Sequence, residues 1–309
     1  MNSGKVTVYL DQNIVGYIRD GLISLPDKGN IAWIYSNEHL NEIGRSNDLS
    51  FLSPFEKLEA RRVQFIVDSN FNFSNGFYFE EYRNPIDVYN EFMSETSQYP
   101  DFSLPALQAF LLGNISELNP DLYVEEMITK LLNLLPESLE TRALITKITE
   151  IMKNFRNVLI DSKDKVLPIN ELREMIANEQ FSDLSPKNER IIDQIWEKIK
   201  TGFLDFSQDE LFGKTTPRFF GTNPNWSILN KISWCYSFLN VLGYWPDKHI
   251  SKIASIISFN SDALHVAYSS CCDALLTADK RLAKKASATF DYFNISTEIL
   301  TLELKARSD

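Results

Sequence analysis

Four stretches place carboxylates where the chain's pattern changes. "VTVYLDQN" (residues 6–13) is an apolar run that stops on Asp11, with Asn13 two positions later. "ALLTAD" (274–279) is a second short apolar run that stops on Asp279, with Thr277 two positions before it. "YSNEHLNEI" (35–43) carries Glu38 and Glu42 four residues apart, a spacing that puts both on one face of a helix. "SDALHVA" (261–267) reads as the start of a helix at Asp262, capped by Asn260 or Ser261. Each acid alone has an ordinary use in a turn or as a helix cap. Gathered in one cleft they could not stay charged unaided. Two carboxylates about 4 Å apart repel by roughly 4 kcal/mol at an effective dielectric near 20, so protons or a cation must compensate. An all-oxygen acid set suits Mg²⁺ or Mn²⁺, which keep several waters and so favour hydrolytic chemistry.

The elements that must position these acids follow from the hydrophobic pattern. Residues 5–10 read as a strand and 13–20 as a helix carrying Ile14, Tyr17 and Ile18. "IAWIYS" is a second strand passing into a helix at Ser36 or Asn37. A further helix is expected at about 54–65, followed by the short run "RVQFIVDSN". Strand and helix alternation of this kind argues for an α/β fold with a mostly parallel sheet. In such a sheet, strand C-termini and the starts of the following helices share the edge where ligands bind. That edge would bring Asp11, Glu38 or Glu42, Asp262 and Asp279 together across 250 residues of chain.

From about residue 79 to 225 the texture becomes helical. "IDVYNEFMSE", "YVEEMITKLLNLL", "LETRALITKITEIMKNFRNVLI", "INELREMIAN" and "NERIIDQIWEKIK" all repeat apolar residues every three or four positions. Leu144, Ile148, Ile151, Met152 and Phe155 are expected to form one buried stripe. The expected division is therefore a core in two parts, 1–78 and 226–309, with an all-α insertion at 79–225 between them. In the second part, "WSILNKISWCYSFLNVLGYW" is a strongly apolar helix, Lys280 starts another, and "FDYFNIST" is expected to be a last strand.

Bulk properties set limits. No run approaches the ~20 apolar residues of a membrane helix, and the first residues lack a signal-peptide layout, so a cytoplasmic protein with no membrane partner is expected. Cys235, Cys271 and Cys272 make no disulfide framework or metal spacing. The net charge of −11 argues against a protein that coats nucleic acid through a broad basic field, but it leaves room for a local basic patch.

Three of the quoted stretches resemble the PIN-domain nucleases. "VYLDQN" resembles their opening strand, "YSNEHLNEI" their second motif, and "SDALHVAYSSCCDALLTADKRL" their signature of an aspartate opening an alanine-rich helix, a short strand and threonine-x-aspartate. The match covers roughly 1–75 and 226–309 and leaves the helical middle unmatched. The resemblance implies a Rossmann-like three-layer α/β/α sandwich and hydrolysis of phosphodiester bonds dependent on Mg²⁺ or Mn²⁺, more often in RNA than in DNA. It implies Asp11, Glu42, Asp262 and Asp279 as metal-binding, catalytic acids, with Asn13 and Thr277 as supporting neighbours. Glu38 competes with Glu42 for the second position, and Asp273 fits a turn better than catalysis. Lys280 and Lys284, with Arg281 and Lys285, are available on the last helix to bind substrate phosphate, or are simply a solvated face. His265 reads as a core or cleft-lining residue, and His39 and His249 show no partner spacing. Trp226, Phe219 and Phe220 could stack bases if their loop borders the cleft. A homodimer, or a protein partner such as an antitoxin-like inhibitor bound through the insertion, is compatible with this reading.

Two other functions stay open. One is a catalytically silent PIN-like module that binds another protein. The other is a haloacid-dehalogenase-type phosphohydrolase, disfavoured because Asn13 stands where that class needs a second aspartate.

Overall fold

The computed structural model describes residues 4–26, 29–67, 73–97, 104–114, 116, 118–133, 139–163, 167–176, 181–185, 189–216, 226–248 and 252–303. Strand β1 (Val6–Leu10) sends Val8 and Leu10 into one apolar cluster and Tyr9 into another on the opposite face. Strand β2 (Ile31–Ser36) does the same with Trp33 and Tyr35 against Ile34. This is the period-two alternation of a strand, here with both faces buried, so helices must cover the sheet on both sides. Helices α1 (Gln12–Arg19), α2 (Asn37–Ser46), α3 (Ser53–Lys57) and the start of α4 (Pro85–Thr96) supply Ile14, Leu40, Phe55 and Val88 to the first face.

Strand β3 (Arg61–Val67) pairs parallel with β2, and β4 (Phe73–Phe79) pairs antiparallel with β3. Helical segments follow: α5 (Leu104–Leu111), α6 (Pro120–Asn133), α7 (Leu139–Ser162), α8 (Ile169–Ile176), α9 (Ile191–Ile199) and α10 (Gln208–Leu211). Next come α11 (Ile228–Leu242), α12 (Ile253–Ser269), β5 (Ala274–Thr277), α13 (Lys280–Phe293) and β6 (Glu298–Thr301). Leu229, Val266 and Phe290, one each from α11, α12 and α13, pack on the second face. The sheet order is β4-β3-β2-β1-β5-β6, parallel throughout except for β4. Winding runs one way from β1 to β2 and β3, and the other way to β5 and β6. The change of direction falls between β1 and β5, the kind of switch point at which open α/β sheets bind ligands.

Two compact units make up the chain. One comprises Met1–Ser94, Ile176–Pro246 and Phe259–Asp309, and holds the sheet; the other comprises Glu95–Met175 and Asp247–Ser258. Phe110, Tyr123, Val124, Met152 and Leu159 form the core of the second. Among the described residues no helix is long and apolar enough to cross a membrane.

Several elements differ from the sequence expectation, each for a visible reason. The helix expected at 54–65 ends at Lys57, because Glu59 adopts a left-handed φ of 49° and the Ala60 N–H turns back to the Phe55 carbonyl. The alternation of Val63 and Phe65 into the core then claims the next residues for β3. Asp262 does not open a helix. α12 begins nine residues earlier, since Ile256, Phe259, Ala263 and Val266 keep a helical spacing of buried positions through Asn260 and Ser261. "FDYF" belongs to α13, which buries Phe290 and Tyr292 and stops at left-handed Asn294; the last strand is "EILT". On α7, Met152 is buried with Ile148 and Phe155 packed beside it, whereas Leu144 and Ile151 are 46% and 55% exposed. Ile151 lies off the face that the 148, 152, 155 and 159 spacing selects, whereas Leu144 keeps that spacing but is exposed one turn before Ile148.

Candidate functional site

Asp11 is the first residue beyond β1. Its N–H donates to the Leu276 carbonyl (3.0 Å), extending the β1–β5 pairing by one step. Its backbone carbonyl accepts from Ile14 and Val15 at the start of α1, but its side chain makes no capping bond. The side chain instead points inward, 1% exposed. There Oδ2 accepts from the Thr277 hydroxyl at 2.7 Å and from the Asn13 amide at 3.3 Å. Thr277 in turn accepts from the Asp279 N–H (3.0 Å), so one hydroxyl links the two strand ends across the switch point. Burial lifts the Asp11 pKa, against the opposing charge of His265 and the Thr277 and Asn13 hydrogen bonds.

Beside Asp11 lies a buried polar chain that the sequence did not announce. His265, 1% exposed on α12, meets Glu42 through Nε2 (3.2 Å) and Tyr9 Oη through Nδ1 (2.8 Å). Burial alone would lower its pKa. The hydrogen bond to Glu42 and the charges of Glu42, Asp11 and Glu38 overcome that and hold it up at about 9. A protonated ring donates from both nitrogens, so the Tyr9 hydroxyl accepts from Nδ1 and keeps its own hydrogen for the bond with Ser36 Oγ at 2.7 Å. Burial pushes Glu42 up, but the His265 bond and the charges of His265, His39 and Arg45 pull it down to about 2. Thus His265 supplies, inside the protein, positive charge that an acid cluster requires.

His39 closes the network. Its Nδ1 accepts from the Ser36 N–H (3.1 Å), which leaves the proton on Nε2 for the Leu10 carbonyl (2.7 Å). It completes a capping box with Ser36 and ties α2 to the end of β1. Ser36 followed three residues later by His39 is the sequence signal of this box, an unusual one because a glutamate or glutamine ordinarily fills that place. Burial, with the nearby His265 charge, pushes the His39 pKa down to about 3. A ring neutral in the fold but titrating near 6.5 when unfolded makes the unfolded chain bind more protons between those values. Stability is therefore complete above pH 6.5 and lost as pH falls toward 3, with a slope from this residue of up to about 1.4 kcal/mol per pH unit. Urea melts of His39→Gln across that range should show a shallower acid limb than the parent.

The remaining expected residues are distributed as follows. Glu38 is buried, accepting from Asn41 (3.1 Å), Arg45 (3.0 Å) and the Ser261 hydroxyl, so it fastens α2 to α12. Arg45 also lies 3.8 Å from Glu42. Asp262 is half-buried within α12, between Ser261 and His265. Asp279 Oδ1 accepts from the N–H groups of Arg281 (2.6 Å) and Leu282 (3.0 Å), a helix N-cap. Asp279→Ala should cost about 1 kcal/mol of folding stability, and Asp279→Asn much less, by urea titration. Asp273 lies at the opposite edge, accepting from the Thr7 N–H (2.7 Å) and hydroxyl (2.8 Å) to staple β5 to β1. Lys280 and Lys284 are exposed, whereas Lys285, expected to be available for substrate, is fully buried near Asn240 (3.4 Å) and the Tyr236 ring. Trp226 donates to the Gly213 carbonyl (2.6 Å) and packs edge-on against Trp234. Phe219, Phe220 and His249 lie outside the described residues.

The site residues do not form a metal cage. Among the described residues no three His, Cys, Asp or Glu side chains are grouped so as to hold an ion. Asp279 Oδ1 is committed to its helix, Glu42 Oε2 to His265 and Asp11 Oδ2 to Thr277. Carboxylate charge is balanced by His265 and Arg45, and as arranged the acids do not fit the divalent ion that the resemblance implies. Asp11 itself, 1% exposed, is too buried to touch a bulky substrate directly. No protein-family model, curated protein or solved structure matches the chain.

Proposed function

We propose that this chain hydrolyses phosphodiester bonds in nucleic acid, RNA before DNA, at a PIN-like edge formed by β2, β1 and β5. The observation that carries the reading is Asp11: a buried carboxylate at the switch point of the sheet, held by Thr277 from the neighbouring strand and not used as a cap. A carboxyl whose pKa is raised by burial is suited to accept a proton from water attacking phosphorus. His265 positions Glu42 beside it, and exposed Arg45 is placed to receive phosphate charge. No protein nucleophile is required. The Mg²⁺ or Mn²⁺ that the family resemblance implies would, if bound, supply a more acidic attacking water. No step is assigned to the ion, because the carboxylates as arranged do not cage it.

A second reading, a silent PIN-like module that engages a protein partner, is favoured by the structural hydrogen bonds that occupy Glu38, Glu42 and Asp279. Incubating the purified chain with fluorescein-labelled single-stranded RNA in Mn²⁺, in Mg²⁺ and in EDTA separates the two. Cleavage lost in Asp11→Asn supports the nuclease. Cleavage by neither ion, or cleavage equal in Asp11→Asn, supports the silent module or a different site.

A further inference from the structure

The switch-point edge continues into α13, and there the chemistry changes sign. Lys280 and Lys284 occupy the first and fifth positions of that helix, one turn apart on one face. Cations are disfavoured at a helix N-terminus, where the macrodipole is positive, and this first turn carries no acid of its own. Neither lysine has an ion-pair partner among the described residues. Both ammonium groups lie over the same half-buried ring, Trp245, at 5.3 and 6.0 Å from its centroid. Trp245 adopts a left-handed φ of 46° directly before Pro246, a backbone state that bulky residues and residues preceding proline both avoid. Two grooves of about 380 and 430 Å³ adjoin this cluster and share Lys284 and Ser287 as walls. The first begins at Ala278 and Lys280, flanking Asp279, and includes Thr301 and Glu303. The second runs past Trp245 and ends at Asp291, whose charge faces Arg190 at 4.0 Å.

From this geometry we infer a binding track for a short single-stranded segment of nucleic acid, with backbone phosphates on Lys280 and Lys284 and one base against Trp245. The inference deepens the nuclease reading by giving the strand a path away from Asp11. Two ammonium groups one turn apart on a helix face suit neighbouring phosphates, and the aromatic ring beneath both provides the sequence-tolerant stacking platform of single-strand binders. A track of two phosphates also suits a protein of net charge −11, which lacks the broad basic field needed to coat a long strand.

Fluorescence anisotropy with a labelled single-stranded RNA, in EDTA and over a salt series, tests the track on the full chain and on Asp11→Asn. Asp11→Asn should bind at least as tightly as the parent. The double variant K280Q/K284Q should bind more weakly, and the slope of log affinity against log salt should be shallower by about 1.4, or ~0.7 for each lost phosphate contact. Trp245→Ala should weaken binding about tenfold, and Trp245→Phe, which keeps a ring if the alanine variant misfolds, by less. A parent that cuts RNA while the lysine and tryptophan variants bind with unchanged slope and affinity overturns the track and leaves the nuclease reading intact. Lysine-dependent binding by a parent that cuts nothing supports the track and overturns the nuclease reading. A parent that binds no RNA, or whose RNA is displaced by polyglutamate at equal charge concentration, overturns the track.

Discussion

Asp11→Asn is expected to reduce cleavage of single-stranded RNA by about a thousandfold, within the ~10²–10⁴ that a positioned base contributes. The same variant should be no less stable than the parent at neutral pH. Asparagine keeps an oxygen for the Thr277 hydroxyl and the same shape, so the link between the ends of β1 and β5 survives. It also removes a charge whose burial is unfavourable, which is the meaning of the raised pKa: an acid harder to ionise in the fold than in the open chain. His265 loses one electrostatic neighbour but keeps its direct bond to Glu42. Activity and stability should therefore separate. A thermal melt at neutral pH beside a cleavage assay reads both, and a variant that melts early would reassign Asp11 to the framework.

The second large effect concerns folding. His265→Leu should cost about 3–5 kcal/mol, because removing one partner of a buried ion pair leaves the other uncompensated. Here Glu42 would face Asp11 and Glu38 without the imidazolium, although its partial exposure places the cost toward the lower end. The double variant His265→Leu/Glu42→Leu should recover most of the loss, since replacing both charges by apolar groups is often neutral or stabilising. Urea denaturation of the two single variants and the double gives the coupling directly. The pH dependence has a definite sign. With a folded pKa of about 9 against roughly 6.5 unfolded, His265 contributes stability that is fully present below pH 6.5 and lost as pH rises through 9. Glu42, held at about 2, contributes stability present above its unfolded pKa and lost only as pH falls through 2. Together with the acid limb of His39, these place maximum stability near pH 6.5. In His265→Leu the loss between pH 6.5 and 9 should disappear.

These effects explain why the site was only partly legible beforehand. Asp11, Asn13 and Thr277 stand out in sequence because each sits where an apolar run breaks, and a break in periodicity is a local signal. Asp279 stands out for the same reason, yet the structure gives its side chain the local task of capping α13. His265 and His39 gave no such signal. His265 looks like an isolated polar residue within an apolar helix, and His39 like one more polar residue of a polar one. Their meaning lies in partners such as Tyr9, which is 256 residues from His265 along the chain. Asp262 shows the opposite failure. Asn260 and Ser261 have capping chemistry, but burial of Ile256 and Phe259 carried the helix through them, because tertiary packing outweighs a cap of about 1 kcal/mol.

What the sequence determined alone is the period of most elements, though not of β4 (Phe73–Phe79) or of "FDYF", and the alternation of strands and helices, hence an α/β fold with a mostly parallel sheet. Those properties follow from neighbours within a few residues, where alternation and capping act. Tertiary structure alone decided that β4 runs antiparallel, that the winding changes direction between β1 and β5, and that an imidazolium rather than a cage of acids balances Glu42 and Asp11. It also brought Trp245 over Lys280 and Lys284. Each of these depends on which distant segments share a low-dielectric interior or a surface groove. Charge compensation and burial are set there by three-dimensional distance, which local spacing does not encode.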